Sequence, residues 1–307
     1  MTVLTRRGFL ASLGAVAGVA LGGPRSWASE DESLLRRPIP TTGERIPAIG
    51  MGTWITFNVG PDAGARAVRR DVLRTFFERG GTLVDSSPMY GASEEVVGDC
   101  LARIDGAGTV FSATKVWTRG RDYGVEQMEA SERLWGLPRF DLLQVHNLLD
   151  WRVHLETLQA WKAAGRVRYI GVTTSHGRRH DLLEQVMTDW PLDFVQFTYN
   201  IRDRWAEARL LPLARERGIA VIANRPFAGG ELFDVVAGRP LPGWAADIDC
   251  VNWAQFFLKF IISDPAVTCA IPATSRVDHM LENMGGLRGR MPDAGERDRM
   301  TAYFAAI

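Results

Sequence analysis

The sequence predicts an α/β chain closed as a (β/α)8 TIM barrel behind a short N-terminal hairpin. Three observations carry that expectation. Short apolar runs alternate with longer stretches of helical period along the chain. The alternation yields eight strand–helix pairs, and parallel strands need such crossovers. Eight units over roughly 250 residues is the size of a closed barrel. The competitor is an open doubly wound sheet. Its Gly-x-Gly-x-x-Gly turn is absent after the first strand, where Gly50-Met51-Gly52 leads into Trp54 rather than a helix.

The elements follow in order. Arg37 to Pro47 holds two short extended runs around Thr41-Thr42-Gly43-Glu44, which reads as a hairpin. Strands are expected near 49–53, 82–85, 110–115, 141–145, 168–173, 193–197, 219–223 and 267–271. Helices are expected near 62–79, 93–104, 124–136, 152–164, 178–188, 204–217 and 251–263, with a last one starting near Val277. Ser93 reads as an N-cap, with Glu94 and Glu95 in the first turn. Gly238 to Gly243 reads as a long barrel loop rather than a domain boundary.

The chain has 307 residues, 46% hydrophobic and 23% charged, ordinary for a globular protein. Lys plus Arg equals Asp plus Glu at 36 each, so no basic surplus points to nucleic acid. Cys100, Cys250 and Cys269 show neither metal-ligand spacing nor a disulfide framework, and no metal is expected.

The first residues stand apart. Thr5-Arg6-Arg7-Gly8-Phe9-Leu10 opens an apolar, glycine-rich run to about Gly23, and Ser26-Trp27-Ala28 ends it with small residues. A charged start, an apolar middle and a small-residue end form a leader. It resembles a twin-arginine (Tat) export signal, which implies contact with the Tat machinery, a cut near Ser29 and a periplasmic protein. A membrane anchor or a chance basic end are the alternatives, but an anchor needs roughly 20 apolar residues and this run is shorter. Residues 1–28 carry three Arg and no acid, so their removal leaves a mildly acidic domain over 29–307.

Barrel sites gather where strands end. Three consecutive expected strands end in or beside ionisable residues: Asp85, with Tyr90 five residues on, then Lys115, then His146. Each has a plain alternative: a packed tyrosine, a buried Asp85–Lys115 pair that only positions strands, a core histidine. Together they make a coherent acid. A phenol titrating near pH 10 is a poor donor at neutral pH. A nearby ammonium stabilises its phenolate, and a carboxylate keeps that ammonium charged. A histidine nitrogen orients a carbonyl oxygen. No side chain supplies a hydride, so a nicotinamide is needed.

The chain after the leader resembles the aldo-keto reductases. The matching pieces are Gly50-Met51-Gly52-Thr53-Trp54, Asp85 through Tyr90-Gly91, Ala113-Thr114-Lys115 and Leu142-Leu143-Gln144-Val145-His146. Gly171-Val172-Thr173, Val195-Gln196, Tyr199-Asn200, and Ile271-Pro272 through Glu282-Asn283 follow in the family order. The resemblance implies a barrel binding NADP(H), with Asp85, Tyr90, Lys115 and His146 as its catalytic tetrad. It places Thr53, Trp54, Asp85, Thr173, Thr174, Gln196 and Asn224 to Phe227 (with Arg225 and Pro226) along the cofactor. Ala273, Thr274, Ser275, Arg276, His279, Glu282 and Asn283 take its phosphate end. Trp54, Tyr90 and His146 line the substrate pocket. The chain also departs from the family. Thr173-Thr174 stand where Ser-Asn is common, Asn224 stands where many members stack a Tyr, and Ala273 replaces a Lys. The function implied is an exported NADPH-dependent reductase of carbonyl compounds. A nicotinamide-binding sensor or partner subunit with little turnover, and a Schiff-base aldolase built on Lys115, are the alternatives.

Overall fold

Strand periodicity of two explains the core before any contact is named. A computed structural model describes residues 34–105 and 110–307 of the chain. The expected leader, residues 1–28, lies outside the described residues. Two strands, β1 (Arg36–Pro38) and β2 (Arg45–Pro47), form the antiparallel hairpin. Eight more form the parallel sheet: β3 (Met51–Gly52), β4 (Leu83–Asp85), β5 (Phe111–Val116), β6 (Phe140–Val145), β7 (Val167–Thr173), β8 (Phe194–Thr198), β9 (Ala220–Asn224) and β10 (Val267–Ala270). Each strand pairs with the next in sequence. The ends meet as well: Ile49 bridges Ala270 and Gly52 bridges Ala273, both parallel. Gly50 N donates to Ala270 O and Gly52 N to Pro272 O, each at 2.9 Å. The sheet is therefore a closed barrel, and the doubly wound alternative is excluded.

Alternate residues face opposite sides. Leu83, Phe111, Leu142, Tyr169, Phe194 and Ile222 join one cluster inside the barrel, with Ile39 and Ile46 of the hairpin. Their neighbours Val84, Leu143, Ile170, Val195 and Val221 pack into the outer core shared with the helices. The hairpin thus plugs the N-terminal end. Tyr169 supports it, donating from its hydroxyl to Glu44 at 2.6 Å.

Helices Ala63–Glu78, Ser93–Leu101, Arg121–Trp135, Trp151–Ala163, His180–Asp189, Leu210–Arg217, Trp253–Ile262 and Val277–Gly285 surround the barrel. The last of these packs on the first, closing the ring. Three expectations need correction. Ser93 is the first helical residue rather than a cap; its hydroxyl turns back to Tyr90 O at 2.9 Å. The expected helix 204–217 is split into a 3-10 turn, Trp205–Glu207, and Leu210–Arg217. Pro212 is the cause, because its ring blocks the carbonyl four residues back and fits only a first helical turn. Helices Glu231–Val235 and Ala294–Ala305 were not expected. The second carries a readable signal, a reciprocal capping box between Asp293 and Glu296.

Candidate active site

The inner face of the strands changes character near their C-terminal ends. Leu83 gives way to Asp85, Ala113 to Lys115, Leu142 to Gln144 and then His146, Phe194 to Gln196, and Ile222 to Asn224. Apolar layers below and polar groups above follow from one alternation carried along each strand.

At the centre Lys115 is wholly buried. Its Nζ donates to Asp85 Oδ2 at 2.6 Å and to Ser86 O at 2.7 Å. The same Nζ lies 5.3 Å from the centroid of the Tyr90 ring. Tyr90 sits in the loop after β4, where its N donates to Ser87 O at 2.9 Å. Gly91 follows at φ +62, and Asn58 lies where a β-carbon would stand, 2.5 Å away at its Oδ1. Asn58 Oδ1 accepts from Ala92 N at 2.9 Å. Only glycine meets both demands, left-handed backbone and close approach. The ring of His146 meets Tyr90 edge-on, with centroids 5.8 Å apart. Ser87 Oγ lies 2.9 Å from His146 Nδ1 and accepts from Met89 N at 3.2 Å. Thr53 ties the β4 end down, donating to Asp85 O at 3.0 Å and Ser86 Oγ at 2.8 Å.

Burial governs the electrostatics. It pushes the Tyr90 phenol up, Asp85 adds to that, and Lys115 opposes it without prevailing. The lysine therefore moderates the phenol pKa rather than bringing it below its ordinary value, and the phenol stays protonated at neutral pH. Burial pulls Lys115 down, yet Asp85 and Tyr90 outweigh it and hold the ammonium charged. Burial and then Lys115 pull His146 down to about 3, so its imidazole is neutral.

A cavity of about 360 Å³ opens above this group. Of the residues expected to bind a cofactor, Thr53, Trp54, Asp85, Thr173, Thr174, Gln196, Asn224, Arg225, Pro226, Phe227 and Ala273 line it, as do Tyr90 and His146. Thr174 Oγ1 is buried and, among the described residues, one of few buried polar side-chain atoms with no hydrogen-bond partner. Thr173 Oγ1 accepts from Asn147 N at 3.1 Å. Asn224 is pinned rather than stacked: it donates to Thr174 O at 2.9 Å and Gln196 Oε1 at 3.3 Å, and accepts from Thr198 Oγ1 at 2.8 Å.

Thr274, Ser275, Arg276, His279, Glu282 and Asn283 are not brought into that cavity. They lie just before and along the helix Val277–Gly285, with Arg276 as its N-cap residue. Arg276 is exposed and already paired, its Nε donating to Asp278 at 2.9 Å. Thr274 Oγ1 accepts from Arg276 N at 3.1 Å. Asn147, Ser175 and His176 also line the cavity and were not expected. Asn147 and His176 adopt left-handed backbone, at φ +53 and +61, which no sequence pattern announced. Gln144, two residues before His146 on the same strand face, was readable by alternation alone.

Residues 48–293 match the profile described as the Aldo/keto reductase family. The chain is 28% identical to the methylglyoxal reductase YeaE of Escherichia coli (strain K12) over 256 residues, 81% of this chain and 88% of that protein. It is 27% identical to an NADH-specific methylglyoxal reductase of the same organism over 243 residues, 68% of this chain and 72% of that one. An aldo/keto reductase from Klebsiella pneumoniae, solved with NADP and acetate, superposes with a TM-score of 0.72 at 24% identity, covering 85% of this chain and 93% of that one.

Proposed function

The chain belongs to the aldo/keto reductase family, and from that premise we propose that it is an exported, NADPH-dependent reductase of aldehydes and ketones with Tyr90 as general acid. One observation carries the reading: a wholly buried Lys115–Asp85 pair at 2.6 Å beneath a protonated phenol, beside a neutral histidine. The cavity fits the cofactor's polar end, because Thr174, whose buried hydroxyl has no hydrogen-bond partner, is among its lining residues. Thr173, Thr174, Gln196 and Asn224 would hold a carboxamide there, and Trp54 and Phe227 offer apolar surface for rings. NADPH, when bound, supplies the hydride that reaches the carbonyl carbon.

Tyr90 gives its proton to the carbonyl oxygen as that oxygen becomes an alkoxide. Lys115 then stabilises the phenolate left behind, and Asp85 keeps Lys115 charged and fixed. We take the Ser87 hydroxyl as the donor to His146 Nδ1, 2.9 Å away, the tautomer in which the ring carries its proton on Nε2. That leaves the His146 Nε2–H to orient the carbonyl oxygen. Solvent returns the proton to Tyr90. A Schiff base on Lys115 is disfavoured, since that amine is inaccessible and Asp85 and Tyr90 hold it in its charged form.

Tyr90→Phe keeps the cavity and removes the acid. Turnover of a carbonyl panel with NADPH, followed by cofactor absorbance, falls at least ~100-fold while cofactor binding holds. A Phe variant turning over at the wild-type rate refutes the role. The alternative, a nicotinamide-binding subunit with little turnover, draws on the pinned amide of Asn224, which removes a stacking ring. A wild-type chain that binds NADPH yet reduces no carbonyl of the panel would favour it. The preference for NADPH over NADH is narrow, because Arg276 meets a 2′-phosphate already paired with Asp278. Fluorescence titration with both cofactors measures the margin.

A further inference from the structure

Asp85 presents two oxygens, and each has a separate set of partners. Oδ2 accepts from Lys115 at 2.6 Å. Oδ1 accepts from Gln144 Nε2 at 3.2 Å and from Gln196 Nε2 at 3.1 Å. The two amides also brace each other, with Gln196 Nε2 3.4 Å from Gln144 Oε1. A carboxylate held on one oxygen alone turns freely about its Cβ–Cγ bond. Donors on the second oxygen stop that rotation.

The topology explains how two amides on strands that are not neighbours meet. Gln144 on β6 is in register with Lys115 on β5 and with Gly171 on β7. Tyr169 and Thr173 flank Gly171 on the inner face of β7, and Gly171 has no side chain to place between Gln144 and Gln196. A β-carbon there would also stand 2.5 Å from Phe194 O on β8. The gap at Gly171 lets the amides reach across β7. Gln196 lines the cavity and would meet a ligand, whereas Gln144 is wholly buried behind the wall.

We propose that Gln144 is a positioning residue of the catalytic group, holding Asp85 Oδ1 so that Oδ2 stays on Lys115 and Lys115 stays beneath Tyr90. The inference rests on Tyr90 being the acid. Nothing about Gln144 touches substrate, so its loss affects the chemical step and leaves binding alone. Full burial makes the amide costly to leave unpaired, and here both of its ends are used.

Gln144→Met keeps length and volume and deletes the donor. Its kcat falls about ten- to hundredfold, the size of a lost hydrogen bond to a charged group. KM and the NADPH dissociation constant, the latter read by fluorescence titration without turnover, stay within about twofold. In the alcohol-oxidation direction the rise of rate with pH moves to higher pH, because Lys115 supports the phenolate less well. Gln144→Asn keeps an amide but shortens its reach, and shows the same changes if the Met variant does not fold. A side chain that merely fills space would instead lower stability, kcat and binding together without moving the pH dependence. An unchanged kcat, a parallel loss of binding, or failure of both variants to accumulate as folded protein overturns the proposal. If wild type is active and Gln144→Met matches it, this inference alone fails; an inactive wild type removes the functional reading and this inference with it.

Discussion

His146 illustrates how burial decides the chemistry of a single residue. Its ordinary pKa of 6.5 falls to about 3 through desolvation and the nearby Lys115. The unfolded chain takes up this proton near pH 6.5, the native chain only near 3. Native stability that is intact above 6.5 is therefore lost as pH falls, at about 1.4 kcal/mol per pH unit, until both states are protonated. Between pH 6.5 and 5 the group costs about 2 kcal/mol. Urea unfolding at the two pH values measures this in wild type and in His146→Gln. The variant, which has no proton to take up there, loses that much less; equal losses would place the proton elsewhere. The same shift means that this imidazole gives kcat/KM no acidic limb near pH 6.5.

At the scale of the element, termini decided where reading and structure agreed. Helix Ala294–Ala305 begins at a capping box: Glu296 N donates to Asp293 Oδ1 at 2.8 Å, and Asp293 N to Glu296 Oε2 at 2.9 Å. Arg290 adds a pair to Glu296 through its Nη1 at 2.8 Å. The helix buries Met300 and Phe304 in the outer core, so loosening its start reaches the packing. Asp293→Ala removes one side of the box and costs about 1 kcal/mol, read as a lower urea midpoint at unchanged slope. An unchanged midpoint would mean that packing alone holds the helix. By contrast, Ser93 had the residue type of a cap but not the place. Its hydroxyl holds the Tyr90 loop instead, where it serves the site more directly.

For the whole molecule the first residues bear on its compartment. The paired arginines and apolar run lead us to propose export by the Tat route, with a mature chain starting near Ser29. Replacing Arg6 and Arg7 together by Lys leaves full-length protein in the cytoplasm; fractionation showing unchanged export, or an exported pool starting at Met1, rules this out. The barrel suits an oxidising compartment in one respect. Cys100, Cys250 and Cys269 are buried and unpaired, and burial pushes the first two thiols up to about 11 and the third higher still. Thiolate is the reactive form, so exchange is slow while the fold is intact. Among the described residues no helix is long and apolar enough to cross a membrane.

Sequence alone determined the number and order of the strands, because each strand's alternation of apolar residues is local and periods of two and 3.6 are readable without partners. It also placed Asp85, Lys115 and His146 at strand ends, and Tyr90 in the loop between. What it could not give was contact between positions far apart in the chain. Closure of the sheet depends on Gly52 meeting Ala273, and the clamp on Asp85 depends on Gln144 and Gln196 reaching across Gly171. Pairing between Arg276 and Asp278 is local, between exposed side chains two residues apart, and was still not expected from the residue types. The protonation of Tyr90 and His146 was equally out of reach, since desolvation is the largest influence on both and exists only once the barrel has excluded water.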